Sequence, residues 1–446
     1  MAKSDLQRVL DGMTAKTPDY DKYWQYYNGD APLVYSTEKL QAIFSSVNAR
    51  FSQNWAEVVV KAVLDRLSVQ KPTVNKNQEL SRQLSDLWEN SGIWLDEISI
   101  YEDLLVTGEA FVVVWPDDED GTTVRAFHND SRHVHIVYDS ANPRKKLFAG
   151  KWWKDDEDAE NAKTHLIMYY PDRIETYESA AGDPSVDSRY DLVSSEENPF
   201  GMIPVFHFRS SQREPRSILK NVIDPQNALN KLMNDKMIVA EYMAAPQRYA
   251  ITEADISGLR NAPNEIWKIP PAAPGDQPTS VGQFSPATLE GYSQSIAELA
   301  STIGVLSSTP RYYITGGDAP SGEALRVMEA PLIKRVKRLI YLCLSPVWKE
   351  IAQGILFFSG VQVALTDISA EFDTVESDQP VLDIQVQKGE REIGLPLVTV
   401  LRRHGTTEEE IEQIKEEKQI EQEENMAFAQ AAISAQQGGF NAGEGE

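Results

Sequence analysis

The sequence predicts an α+β fold in which a part with mixed helices and strands precedes a long, mainly helical part. Three observations predict it: helical spacing of apolar residues up to about residue 90, β-rich runs between residues 111 and 208, and three long helical segments after residue 223. With 446 residues, 41% of them hydrophobic, the chain can fill more than one core, so two to four substructures are expected.

The N-terminal part holds helices followed by strands. Apolar residues recur at helical spacing from residue 54 to residue 67, and a second helical stretch covers residues 77–90. An acidic turn at residues 117–121 joins the first two β-rich runs as a hairpin. The runs lie at residues 111–115, 124–127, 147–153, 166–170 and 174–177. We expect an α+β domain that ends near Phe208.

Two helical segments separated by a proline-rich insert are the most informative feature. Asp224 and Pro225 provide an N-cap and a first helical residue, and Pro246 ends a helix of about 20 residues, roughly 30 Å long. Ser285 and Pro286 repeat the start signal. Such an elongated unit can hardly bury its apolar faces alone, which suggests a part that stands beside copies of itself.

A third helix is predicted from Ser321 to about Phe358, after a loop rich in Thr, Gly and Pro. Pro331 and Pro346 fall inside this helix and should kink it or split it in two. Its apolar residues keep helical register: Leu325, Met328, Leu332, Val336, Leu339, Cys343, Val347 and Ile351.

The C-terminal region is predicted as strands and turns at residues 360–386, followed by helices. The last helical region begins at residues 395–401, and Thr407 with Glu410 forms a capping box for a very acidic helix. From residue 406 onward there are 11 acidic and 2 basic residues, so this tail carries −9 of the formal net charge of −25, and the preceding 405 residues carry −16.

The acidity bears on nucleic-acid binding. A general DNA binder has the opposite sign, because its affinity for the phosphate backbone comes from Lys and Arg. Either nucleic acid is not a partner of this protein, or it moves past the protein without being bound tightly. Alternatively, the negative charge only keeps the protein soluble.

The sequence also favours some cellular settings over others. The N-terminus lacks the apolar core of a signal peptide, and no stretch approaches the length of a membrane span, so we expect a protein that is intracellular at synthesis. The single cysteine, Cys343, excludes disulfides within the chain and cysteine-based zinc sites. Its neighbours Leu342 and Leu344 favour a core thiol.

Motifs of enzyme chemistry are scarce. The sequence holds no GxxxxGK[ST], GxSxG or HExxH motif, and no cofactor is expected. The one local histidine cluster is His128, His133 and His135, and the alternation of the last two can place both imidazoles on one strand face. A metal site would need further ligands such as Asp130 or Asp139, whereas a polar face of an edge strand explains the same residues.

Two charged stripes remain on the predicted helices. The first lies on one face of the second helix and comprises Glu290, Gln294 and Glu298. It fits either a ring of identical helices or an ordinary surface helix. The densest basic patch lies on the third helix and comprises Lys334, Arg335, Lys337 and Arg338. Pairing with acidic groups of a neighbouring subunit, or solvation, is favoured there over DNA contact.

Four short segments carry a resemblance to a known family. They are the Tyr26-Tyr27-Asn28-Gly29 pattern with Pro32-Leu33, the Asn54 to Leu67 helix, the Gly108 to Val114 segment, and the Asn198 to Phe208 stretch. In their order and spacing they resemble the portal proteins of tailed bacteriophages, of the branch that is similar to the Bacillus phage SPP1 portal and common in actinophages. The resemblance covers nearly the whole chain.

The resemblance implies a non-enzymatic protein with named parts. In order these are a wing (1–215), a first stem helix (216–246), a clip (247–284), a second stem helix (285–304), a tunnel loop (305–320), a long wing helix with following strands (321–394), and a helical crown with an acidic tail (395–446). Within the clip we predict strands at 248–251 and 265–269. The implied assembly is a ring of twelve copies at one capsid vertex of the virion, formed in the host cytoplasm.

The resemblance also implies partners and site residues. Double-stranded DNA would be packaged and ejected through the ring, with the stem channel lined by Glu290, Gln294 and Glu298. Tunnel-loop residues would touch the DNA backbone without reading bases: Thr309, Arg311, Tyr312, Tyr313 and Thr315. Whether Arg311 faces DNA or a neighbour is open. The clip would contact the terminase large subunit and the head-completion adaptor through Arg248, Arg260, Trp267 and Lys268.

The basic patch would lie between subunits, and the major capsid and scaffold proteins are further implied partners; a membrane is not. Two alternatives are a metal-dependent hydrolase that uses His133 and His135, and another oligomeric phage protein such as an adaptor. Adaptors of this kind are much shorter than 446 residues.

Overall fold

A computed structural model describes most of the chain. The described residues are 3–32, 52–117, 123–155, 163–179, 189–211, 213–244, 248–252, 275, 278–283, 288–315, 322–376, 380–404, 406, 410–420 and 426. They form two compact units, Met1–Phe372 and Asp373–Glu446.

In the described residues up to Thr107, the first unit contains the helices α1 (Asp5–Tyr27), α2 (Trp55–Leu64), α3 (Gln78–Ser91) and α4 (Glu97–Thr107) and the short strand β1 (Thr73–Val74). Three of the helices begin with a polar cap, because the side chains of Ser4, Asn54 and Asn77 each accept a hydrogen bond from the backbone N–H three residues later. The helices predicted at residues 54–67 and 77–90 are confirmed.

Two antiparallel sheets follow. The strands are β2 (Glu109–Pro116), β3 (Val124–Asn129), β4 (Val134–Tyr138), β5 (Lys146–Lys154), β6 (Thr164–Tyr169), β7 (Arg173–Ser179), β8 (Asp191–Glu197) and β9 (Val205–Arg209). One sheet has the order β3-β2-β9 and the other the order β4-β5-β6-β7-β8. All five β-rich runs are confirmed as strands, and the predicted domain end near Phe208 falls within β9. The exposed strand β8 was not predicted, because its sequence DLVSSEE lacks a buried face.

The core of this unit lies on both sides of the five-stranded sheet. Val9, Leu10 and Met13 of α1 pack against one group of sheet residues that includes Phe148 and Met168. A second cluster joins the two sheets through Phe111, Val113, Val134, Ile136, Ala149, Tyr169, Ile203 and Val205. The sheets are therefore held together by apolar burial, and α1 covers the larger sheet.

The helical part contains the predicted helix pair. Its elements are α5 (Ile223–Ala244), β10 (Arg248–Ile251), β11 (Ser280–Gln283), α6 (Glu290–Ser307), α7 (Tyr312–Thr315), α8 (Gly322–Leu339) and α9 (Ser345–Phe358). The first helix is confirmed. The second begins at Glu290, so the start predicted at Ser285 is wrong. No side chain caps it, and the proline signal at Pro286 lies outside the described residues.

The strand predicted at residues 248–251 is confirmed as β10, and it pairs with the unpredicted strand β11. The predicted partner strand at residues 265–269 lies outside the described residues. The sequence signal at β11 is weak because its four residues include Ser280, Gly282 and Gln283, none of which is a typical strand former.

The third helix is split as predicted, but by a π-helical turn. Residues Ile340–Leu344 form this π segment, in which the N–H of Ser345 bonds to the carbonyl of Ile340, five residues earlier. Pro331 lies inside α8, whereas Pro346 lies in the first turn of α9, where its missing N–H is tolerated.

The second unit is helical where the sequence was predicted as strand. Its elements are α10 (Pro380–Glu392) and α11 (Leu397–Arg403), and residues 410–420 are also helical. Among the described residues between 360 and 386, the strand prediction holds for β12 (Ile368–Ser369), which belongs to the first unit and pairs there with β1. It is wrong for residues 380–386, because Pro380 opens a helix at its first position. In the described part of the chain, no helix is both long enough and apolar enough to span a membrane.

Candidate functional site

The exposed face of α6 is the first candidate surface. Glu290, Gln294 and Glu298 are all exposed, and the Gln294 amide donates to the Glu298 carboxylate over 3.4 Å. Lys236 of α5 donates to the hydroxyl of Ser293 over 2.9 Å, which ties the two helices of the pair together. The predicted common face is present in the structure, and its role in lining a channel stays a prediction.

Buried amides fix the base of α5. Gln226 accepts a hydrogen bond from the backbone N–H of Trp55 over 3.0 Å, and Asn227 accepts one from the Tyr26 hydroxyl over 2.8 Å. Both amides are more than nine-tenths buried. The sequence analysis missed these two amides. Their position in the first turn of a helix, close to the buried Leu229, is a sequence signal that such amides are buried and hydrogen-bonded. They orient the helix pair against the N-terminal helices.

The first residues of the loop after α6 pack against the rest of the protein. Ser308 has a left-handed backbone with φ of 61°, which ends the helix. Thr309 is 5% exposed: its N–H bonds to the Gly304 carbonyl over 2.9 Å, and its hydroxyl accepts from Ser307 over 2.8 Å. The side chain of Thr309 therefore takes part in the loop's own structure.

Four side chains hold the next turn, α7, in place, and we call them the loop clamp: Arg66, Tyr312, Tyr313 and Glu329. The Tyr312 hydroxyl donates to the Glu329 carboxylate, and Arg66 donates to Glu329 over 3.2 Å and to the Tyr313 hydroxyl over 2.9 Å. The Arg66 and Glu329 side chains are only 11% and 9% exposed.

The loop clamp is a nearly buried ion pair that carries two tyrosines. Burial and the neighbouring Glu329 carboxylate raise the pKa of Tyr312. Tyr313 also lies below the Arg66 guanidinium, which is 5.8 Å from the centre of its ring. Sequence reasoning missed Arg66 and Glu329 as site residues, because they are 263 positions apart and each belongs to an ordinary helical pattern.

The other predicted loop and clip residues are only partly described. Arg311 is exposed, and Arg248 is half-buried on β10 opposite Gln283. The Thr315 backbone belongs to α7, but its side chain, like Arg260, Trp267 and Lys268, lies outside what the structure describes.

The predicted basic patch divides into two parts. Lys334, Lys337 and Arg338 are exposed, whereas Arg335 is half-buried and donates to the Ser307 carbonyl. Burial and the nearby Arg338 lower the pKa of Arg335. Arg335 therefore fastens α8 to the end of α6 within the chain, and three cations remain on the surface.

The histidine cluster has ordinary structural surroundings. His128 lies 3.2 Å from the buried Asp103 carboxylate, and the His133 ring packs edge-on against Trp152 with centroids 4.6 Å apart. Burial lowers the pKa of His135 to about 4. Among the described residues, no group of three or more His, Cys, Asp or Glu side chains could hold a metal ion. The hydrolase alternative therefore gains no support from these positions.

The comparison with protein families decides the relationship. The profile of the family described as phage portal protein, SPP1 Gp6-like, matches residues 6–424. The chain belongs to this family of portal proteins. The resemblance carried by the four sequence segments is thus confirmed, and the mixed helical and stranded fold is consistent with portal-family membership.

Solved structures include a distant neighbour. A chain from the neck of an empty GTA particle, computed with C6 symmetry, superposes with a TM-score of 0.43 at 12% identity, covering 81% of this chain and 90% of its own length. No curated protein matches the chain significantly.

Proposed function

We propose that the chain is a portal protein that forms the ring-shaped channel at one capsid vertex, through which double-stranded DNA is packaged and ejected. The match of the portal family to residues 6–424 is the observation that carries the proposal. The ring would hold about twelve copies, with the named wing, stem, clip, tunnel loop and crown. It would belong to the virion, assemble in the host cytoplasm, and contact the major capsid and scaffold proteins.

The surface of α6 fits the wall of such a channel. DNA that moves through a pore needs walls that repel phosphate, because a fixed Lys or Arg would hold the backbone. The α6 sequence contains no Lys or Arg, and its exposed face carries Glu290 and Glu298. The two lysines of α5 are engaged: Lys231 pairs with Asp235 over 2.6 Å, and Lys236 bonds to Ser293.

The tunnel loop and clip complete the proposed channel. Arg311 is the one basic residue between positions 305 and 320, and the loop clamp fixes the segment from which it projects. We place the loop next to the DNA backbone, and Arg248, Arg260, Trp267 and Lys268 at the contact with the terminase large subunit and then the head-completion adaptor. The exposed basic residues of α8 would pair with acidic groups of the neighbouring subunit.

Electron microscopy and mass photometry of the purified protein test the ring. Closed rings with a central hole, near twelve times 50.0 kDa, are expected. A protein that stays monomeric even with its scaffold and capsid proteins present would contradict the proposal.

A charge-reversal pair tests the channel wall. The double variant Glu290→Lys, Glu298→Lys should form rings but package DNA more slowly, at least about tenfold at low salt, because two new cations per chain would bind phosphate. The control, Glu196→Lys with Glu197→Lys, changes the net charge equally on the exposed strand β8 and should package normally. Equal packaging by both variants would remove this face from the channel.

A further inference from the structure

We propose that a second copy of this chain packs on the surface around the π segment, Ile340–Leu344, and inserts acidic side chains into the two cation-lined cavities beside it. The inference rests on the proposed ring and assigns one of its subunit contacts. The surface lies on the first unit and consists of residues that the structure describes.

Two cavities, of about 630 and 660 Å³, meet at the π segment, where both are lined by Leu342 and Cys343. The cations of the first are Arg213, Arg216, Lys220, Arg335 and Arg338. Those of the second are Arg144, Lys146, Arg209 and Lys349. Against these nine cations stand two carboxylates, Glu214 and Glu350. In a chain of net charge −25 this is a pronounced local excess of positive charge.

Lys146 places an ammonium group in the lining of the second cavity. Its ammonium group donates to the Val205 carbonyl over 2.8 Å and lies 5.1 Å from the Phe206 ring centre. Within the described chain, Lys146 has no carboxylate at ion-pair distance. A partly buried ammonium with a carbonyl partner is stabilised further when a carboxylate reaches it.

Apolar side chains stand at the rims of the same cavities. Tyr341 is 77% exposed, Leu342 50% and Leu306 47%. Large exposed apolar groups that surround charged cavities are typical of a surface that another protein covers. Within the π segment Tyr341 and Leu342 face outward, whereas Cys343 and Leu344 face the core.

The chemistry of the cavities favours a protein carboxylate as occupant. Lys146 and Arg335 are half-buried cations of these cavities, and the carboxylate of an Asp or Glu side chain is small enough to enter and pair with them. The chain itself supplies 68 Asp and Glu residues. Copies that each carry −25 repel one another, so a contact between them needs such a local region of opposite sign. A second copy is therefore the occupant we assign.

Charge reversal at the two cavities tests the assignment. The variant Arg338→Glu, Lys349→Glu should raise the protein concentration at which half of the chains are in rings by about tenfold or more. The control Lys71→Glu, Arg189→Glu makes the same change of −4 at exposed ion pairs and should assemble like the wild type. Unchanged circular dichroism and melting temperature would show that the monomer still folds.

Labelling gives an independent readout. In a Cys343→Ser background, Tyr341→Cys should react rapidly with a maleimide in the monomer and at least about tenfold more slowly in the ring, whereas Val193→Cys on β8 should react equally in both. Assembly of the charge-reversed variant at wild-type concentration, or equal labelling of Tyr341→Cys in monomer and ring, would overturn the assignment and leave the ring intact. Failure of the wild-type chain to form rings would overturn both.

Discussion

The loop clamp predicts how firmly the proposed tunnel loop is held. Glu329 receives hydrogen bonds from Tyr312 and Arg66, and both partners of the ion pair are about nine-tenths buried. Glu329→Gln keeps the shape of the side chain and one acceptor oxygen, but it removes the charge that Arg66 faces. The change should loosen the loop without unfolding the protein.

The magnitude follows from the burial and the number of bonds. A hydrogen bond to a charged group contributes about 1.5–3 kcal/mol, and a partner left buried without its counter-charge adds a desolvation cost. Because Gln retains one acceptor, we expect the free energy of local opening of residues 309–315 to fall by about 2 kcal/mol, which corresponds to roughly 30-fold faster opening.

Hydrogen exchange measured by mass spectrometry reports this opening. The amides of Thr309, Tyr313 and Ile314 are bonded within the loop, so a peptide covering residues 305–315 should exchange about 30-fold faster in Glu329→Gln. Glu298→Gln is the matched control, since Glu298 is exposed, and its exchange should equal the wild type. A change below about threefold in Glu329→Gln would refute the reasoning, because the ion pair would then not restrain the loop.

Two further predictions concern the N-terminal part. Burial lowers the pKa of His207 to about 4, so between its ordinary value of 6.5 and about 4 the unfolded chain binds a proton that the folded chain does not. The free energy of unfolding should therefore decrease by up to about 3 kcal/mol as the pH is lowered through this window. The decrease in melting temperature between pH 7 and pH 5 should be smaller in His207→Gln than in the wild type, and equal decreases would contradict this. Gly108 has φ of +100°, and a Cβ there would lie 2.5 Å from the backbone N of Arg216, whereas Gly201 has φ of +64° and open space around it. Gly108→Ala should cost more than about 2 kcal/mol and Gly201→Ala about 1 kcal/mol in thermal unfolding, and equal shifts would show that the close approach is not limiting.

Local signals predicted much of the fold. Apolar residues at helical spacing between 54 and 67 predicted α2, and the run around Val113 before an acidic turn predicted the β2-β3 hairpin, because periodicity and turns act over a few residues. The contacts that position the candidate site are of another kind. Arg66 and Glu329, or Gln226 and Trp55, meet only after distant segments have folded together, and no short-range pattern contains them.

The π segment shows how one extra residue changes which side chains reach the core. The predicted apolar stripe passed from Cys343 to Val347, but Val347 is half-buried and Trp348 is fully buried instead, bonded through its indole N–H to the Tyr101 hydroxyl over 3.0 Å. A π turn takes one residue more than an α turn, so every side chain after it is shifted around the helix axis. Pro346 marks the break in the sequence, since it cannot donate the N–H of a continuous helix, but proline alone does not say that the break is a π turn. Tyr341 precedes this shift and lies on the side of the helix away from the buried Val336 and Cys343, so the surface on which we place the neighbouring copy is present in either register.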